Sequence, residues 1–187
     1  MKPVVVLDKI MDTADRLFYA QGFNLTGINQ IIEEAGISKP SLYNHFKSKN
    51  DLLLAYLDQL YIKWFDGLDT FCAKFESPMD KIIALFDYRI NRQIASQYKG
   101  CAWNKIANEI APQEVEVFQR VAKFKSDLIN RIVDLVDQLS RPNDKLLSDE
   151  ELVQVIFSEL ETGVLTAHIT KSHQLLENAK NIVRKLV

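Results

Sequence analysis

The residues Lys39-Pro40-Ser41-Leu42-Tyr43-Asn44-His45 carry side chains suited to recognising polar surfaces rather than transforming a substrate. Ammonium, hydroxyl, amide and imidazole groups supply the donors and acceptors that phosphates and base edges require. At about 100° per residue on a helix, Leu42 and Phe46 fall on one side. Pro40 and Asn44 lie nearly opposite, with Ser41 and Tyr43 on the flanks and Lys39 and His45 at the ends. A stubby helix with such a face can enter a DNA major groove. Lys39, Lys47 and Lys49 stand between Gly36 and Lys49 with no Asp or Glu among them, a local patch for phosphates in a chain of net charge −2.

Other chemistries are poorly supplied. His168 and His173 have no Cys or third His near them in sequence, so no metal site is expected. Cys72 and Cys101 lack the paired spacing of metal or disulfide frameworks and read as buried thiols. No phosphate-binding glycine loop, H-E-x-x-H motif, nucleophile elbow or cofactor-lysine signature is present. The expectation is no catalytic residue, no metal and no cofactor.

The elements that position the Lys39–His45 face follow from local signals. Val4–Tyr19 reads as a first helix, with Ile10, Ala14, Leu17 and Phe18 on its packing stripe and Gly22 ending it; Phe23 and Leu25 are expected to turn inward. Thr26 is the expected N-cap of a second helix that buries Ile28, Ile31, Ile32 and Ala35. Gly36 supplies the left-handed conformation that lets the chain reverse. Ser38 or Lys39 then opens the recognition helix, with Pro40 in its first turn, where no intrahelical N–H is needed. Ser48 can cap the next helix, whose N-terminal N–H groups could hold one phosphate together with Lys49.

Ile10–Leu53 resembles the DNA-binding domain of TetR-family transcriptional regulators, through Leu17 and Phe18, Gly22-Phe23, Thr26, Ile31, Ala35-Gly36-Ile37-Ser38, Leu42-Tyr43, His45-Phe46 and Lys49 in the family's order and spacing. The resemblance implies that Thr26, Ser41, Tyr43 and Lys49 contact phosphates, and that Lys39, Pro40, Asn44 and His45 meet or approach base edges, with Ser38 beside them at the helix start. Many family members carry a basic arm before the first helix. Here Met1–Ile10 reads MKPVVVLDKI, and no such arm is expected.

With 47% apolar residues and little glycine or proline, the chain can bury a real core and should be mostly helical. Charge divides unevenly: residues 1–49 hold six Lys/Arg and five Asp/Glu, the remainder seventeen and twenty. The basic character is therefore local, as befits a specific reader of DNA. From Ser48 to Phe75 the apolar pattern covers more than one face, so one long helix should run from the DNA-binding unit into a second domain. We expect an all-α protein of about nine helices. Residues 1–50 form a three-helix helix-turn-helix domain, joined through the long helix to an effector-binding and dimerisation domain of residues 51–187. Further helices are read from Ser77-Pro78 to about Ser96, Cys101 to Ile110, Pro112 to near Ser140, and from a Ser148/Glu151 capping box to about Thr170. The last runs from Ser172 to Val187, and Arg141–Asp144 is the clearest loop.

Leu152, Val155, Ile156 and Val164, followed by Leu175, Ala179, Ile182 and Val183, supply more apolar surface than one packing stripe needs. The surplus points to a homodimer built on a four-helix interface, which would also provide two half-site readers for a palindromic operator in double-stranded DNA. Gly100-Cys101-Ala102-Trp103-Asn104 followed by Glu109 resembles the Gly-Cys-x-x-Asn segment of a TetR subgroup whose effector domains sense small, often aromatic or lipophilic compounds. Trp64, Phe86 and Trp103 are expected to wall an apolar cavity, with Asn104 and Arg89 giving its polar contacts. With no apolar run long enough to span a bilayer and no signal peptide, no membrane partner is expected and the location is cytoplasmic. The expected function is a transcriptional repressor released from its operator by a small lipophilic or aromatic effector. The alternative is a DNA-binding protein whose helical domain docks a protein partner.

Overall fold

The computed structural model describes residues 3–143 and 145–187. Met1, Lys2 and Asp144, parts of the expected N-terminal segment and loop, lie outside the described residues. Nine helices and no strand occur among the described residues: α1 Pro3–Gln21, α2 Ile28–Glu34, α3 Lys39–Tyr43, α4 Lys49–Cys72, α5 Pro78–Ala95, α6 Ala102–Glu109, α7 Val115–Val136, α8 Asp149–Thr170 and α9 Gln174–Leu186. The chain divides into two compact units, Met1–Lys63 with Ala102–Val121, and Trp64–Cys101 with Ala122–Val187. The unit holding the helix-turn-helix is thus larger than residues 1–50, because α6 and the start of α7 belong to it.

Local signals set most helix ends. Ser77 caps α5 by accepting the Asp80 N–H, and Ser148 and Glu151 form the expected capping box on α8, each side chain accepting the other's backbone N–H. α7 begins at Val115 rather than Pro112, since residues 111–114 close a turn through the Glu114 N–H and the Ala111 carbonyl at 3.0 Å. α9 begins at Gln174, two residues later than expected.

In the first unit α1 buries Ile10, Ala14, Leu17 and Phe18. Phe18 meets Phe23 and Tyr56 edge to face at 5.3 and 5.4 Å, a geometry that aligns ring edges with ring faces. Phe23 turns inward as expected, but Leu25 does not and is 79% exposed. In the second unit α5, α8 and α9 pack on one another around Ile82, Phe86, Leu152, Ile156, Leu160 and Leu176. Lys180 of α9 ties Asp87 of α5 at 2.6 Å. No described helix is long and apolar enough to cross a membrane.

Candidate nucleic-acid interface

The turn before α3 is built by backbone geometry. Ala35 is the C-cap of α2, Gly36 follows at φ +62°, its N–H donates to the Glu33 carbonyl at 3.1 Å, and the Ile37 N–H reaches the Ile32 carbonyl at 3.1 Å. These are the two bonds of a Schellman ending, which reverses the chain tightly enough for α2 and α3 to pack as a helix-turn-helix. Ser38 is the N-cap of α3, its hydroxyl accepting the Ser41 N–H at 3.2 Å, with Pro40 in the first turn.

α3 has one inward side and one outward side. Leu42 is fully buried and Phe46, just beyond the helix, is 8% exposed. Ser38, Lys39, Pro40, Tyr43, Asn44 and His45 are exposed, and Ser41 is half-buried against the Ser38 hydroxyl at 2.8 Å. The helix ends at Tyr43, so Asn44 sits at its C-cap and His45 in the following turn. The Lys39 ammonium lies 6.0 Å from the Tyr43 ring centre, one helical turn away. Donors, acceptors and a cation therefore share one solvent-facing surface on a rigid, apolar footing.

Two expected phosphate contacts sit elsewhere. Thr26 is fully buried, and its hydroxyl donates to the Gly22 carbonyl at 2.6 Å; Gly27, not Thr26, is the N-cap of α2 and makes no side-chain cap bond. Its hydrogen bond is met four residues back, so burial costs the hydroxyl little and leaves nothing to offer a phosphate. The Lys49 ammonium is turned to the Phe23 carbonyl at 2.5 Å and lies 4.0 Å from the Phe23 ring centre. Burial pushes its pKa down, opposed by the charge of Glu109. At the start of α4, Asp51 takes the Ser48 hydroxyl as cap and accepts the Lys47 N–H at 3.0 Å. This end of α4 therefore already carries a carboxylate, and Lys39 and Lys47 remain the cations presented outward.

α6 grips the corner between α1 and α2, a feature the sequence reading missed. The Asn24 N–H donates to Glu109 Oε2 at 2.8 Å, and Asn24 Nδ2 donates to the Glu109 carbonyl at 2.8 Å. A Cβ at Gly22, where φ is +93°, would stand 2.4 Å from Glu109 Oε1, so a side chain would collide with the grip. Lys105 Nζ donates to the Tyr19 carbonyl at 2.9 Å, Asn50 Nδ2 to Glu114 at 2.6 Å, and Arg120 pairs with Asp58 at 2.8 Å. The only sequence hint was Glu109 in the Gly-Cys-x-x-Asn segment. Its partner lies 85 residues away.

In the second unit, Trp64 packs edge to face on Phe65, Tyr88 and Phe124 at 4.9, 5.5 and 4.9 Å, and Phe86 is fully buried. Arg89, 5% exposed, binds Glu161 at 2.7 Å and lies 5.6 Å from the Trp64 ring centre. Of the other two expected effector contacts, Trp103 is buried and Asn104 half-buried in α6, within the first unit. Among the expected interface residues, Leu152, Ile156, Val164, Ala179 and Val183 are core of the chain itself, at 1% exposure or less. That overturns their assignment to a partner: they fill the α5, α8 and α9 layer. Val155 and Leu175 are half-buried, Ile182 is 49% exposed, and Leu165 and Ile169 add 56% and 69%. The Tyr98 hydroxyl bonds His173 Nδ1 at 2.9 Å and the Tyr98 carbonyl His168 Nδ1 at 2.7 Å, which accounts for both histidines.

Comparison with known proteins agrees with this geometry. Residues 10–56 match the family model for bacterial regulatory proteins of the tetR family. The chain is 23% identical over 181 residues to an uncharacterised HTH-type transcriptional regulator of Lactococcus lactis subsp. lactis, covering 95% of this chain and 90% of that one. It is 22% identical over 184 residues to the HTH-type transcriptional repressor NemR of Escherichia coli K12, covering 96% and 92%. A solved transcriptional regulator of the TetR family from Agrobacterium tumefaciens shares the fold with a TM-score of 0.83 at 16% identity, covering both chains fully.

Proposed function

We propose that this chain, a TetR-family regulator with the family's helix-turn-helix at its N-terminus, represses transcription by binding a palindromic operator as a homodimer and leaves it when a small lipophilic or aromatic effector binds. The observation that carries the reading is α3: Leu42 is wholly buried while Lys39, Pro40, Tyr43, Asn44 and His45 are exposed to solvent. Asn44 offers the amide that pairs with an adenine edge, Lys39 a donor for guanine, and Tyr43 and Lys47 contacts to phosphate.

The second copy docks on the outer face of α8 and α9. Val155, Ser158, Thr162, Leu165 and Ile169 recur at spacings of three and four residues, on the side of α8 away from Leu152, Ile156 and Leu160. Self-complementary pairing of this stripe, with Leu175 and Ile182 of α9 beside it, gives a two-fold axis and hence two recognition helices. The protein works in the cytoplasm, where its operator is. Ligand and DNA oppose each other with a coupling free energy of about 1–3 kcal/mol.

The test is selection of bound sequences from random duplex DNA by the full-length protein. A palindrome should emerge. Asn44→Ala should relax preference at one position of each half-site, at a cost of about 1–3 kcal/mol, whereas Tyr43→Ala should weaken all sequences alike. Enrichment of no sequence, or of one without symmetry, would contradict the reading.

A further inference from the structure

A cavity of about 320 Å³ opens in the second unit between the ends of three helices, away from Trp64 and Arg89, which are spent in packing. Its wall takes Leu68, Asp69, Cys72 and Ala73 from the end of α4 and its following turn, Lys81 and Leu85 from α5, and Arg131, Asp134, Leu135 and Gln138 from the end of α7 and its following turn. The volume falls at the lower end of the range for small-molecule sites.

The wall is divided by chemistry. Leu68 and Leu85, at 1% and 3% exposure, form with half-buried Leu135 an apolar floor. Asp69 and Arg131 neutralise each other through two bonds, one of 2.8 Å, and the guanidinium lies 5.6 Å from the Phe65 ring centre. Half-buried Cys72 stays a protonated thiol, because burial and then the Asp69 charge push its pKa up against the pull of Arg131 and Lys81. Two charges are left over. Asp134 is exposed and hydrated, so remaining unpaired costs it little. Lys81 is half-buried and makes no ion pair among the described residues. A cation partly stripped of water above an apolar floor is the group that gains most from an incoming anion.

We propose that this cavity binds an amphipathic carboxylate, with its hydrocarbon body on Leu68, Leu85 and Leu135 and its carboxylate on the Lys81 ammonium. A simple amine is repelled by Lys81, and a multiply charged anion by Asp134, since Asp69 is neutralised by Arg131; a single carboxylate matches the one unpaired, half-buried cation. As the effector, it would deepen the regulator reading above by giving that effector a class and a place.

The experiment is titration calorimetry of the full chain with sodium octanoate, with octan-1-ol and octylamine as comparators and no DNA present. One octanoate per chain should bind, about tenfold or more tighter than octanol, the difference expected of one charge-assisted hydrogen bond, and octylamine should not bind. Lys81→Met should remove that advantage. Ala73→Trp, which fills the cavity from an exposed position, should abolish binding while leaving the thermal unfolding of the free protein unchanged. Equal affinity for octanoate and octanol, an advantage of octanoate over octanol that survives Lys81→Met, or octanoate binding that survives Ala73→Trp, would overturn the proposal. Failure of the same preparation to select a DNA sequence would count against the regulator reading and not against this site, since the titration contains no DNA.

Discussion

α3 is five residues long with a single buried side chain, Leu42, whereas α8 runs for twenty-two residues with apolar side chains on two opposite faces. In α3 the division between inside and outside coincides with the division between apolar and polar, so hydrophobic periodicity alone orients it. In α8 both faces are apolar. Leu152, Ile156, Leu160 and Val164 face the chain's own core, and Leu165 and Ile169 face out, so composition cannot say which set meets a partner. The contrast also separates stability from the proposed function: that proposal assigns the outward residues of α3 to DNA and those of α8 to a second copy, while inward residues of both are core of the protomer.

The largest effects should come from the inward side of both helices. Leu42→Ala and Ile156→Ala should each lower unfolding stability in guanidinium by about 2–5 kcal/mol, the range for emptying a buried aliphatic site. If Ile156→Ala costs no more than an exposed change, its place in the core is wrong. Next is the outward side of α8. Leu165→Glu with Ile169→Glu should convert a dimer to a monomer in sedimentation, with protomer unfolding unchanged within about 0.5 kcal/mol for each substitution; persistence of the dimer would move the interface elsewhere.

A smaller effect tests the turn that aims α3. A Cβ at Gly36 would meet nothing within 4 Å, so Gly36→Ala should cost only the left-handed backbone penalty, about 1–2 kcal/mol in thermal unfolding. The smallest concerns the grip of α6. Glu109→Ala leaves the Asn24 N–H without its carboxylate and should cost about 0.5–1.5 kcal/mol by the same measurement. Faster hydrogen exchange at Asn24 should accompany it.

The helix-turn-helix was legible because its signals act within a few residues. The Schellman bonds from Gly36 and Ile37, the Ser38 cap and the Leu42/Phe46 side all reach no further than five positions along the chain. The same locality explains the misses. Thr26 looks like an exposed cap until the Gly22 carbonyl is seen to take its hydroxyl. Lys49 has the type of a phosphate contact, but its ammonium is claimed by Phe23, 26 residues earlier. Leu25 carries an inward type at a corner that turns it outward.

By itself, then, the amino-acid order determined the all-helical class, the turn between α2 and α3 and the polar side of the recognition helix, since each depends on side chains a helical turn or two apart. The tertiary structure alone decided which apolar face of α8 is core, how α6 holds Asn24, and where a cavity with an unpaired Lys81 lies. Those outcomes depend on packing between residues tens of positions apart, and chain closure over such distances leaves no local pattern to read.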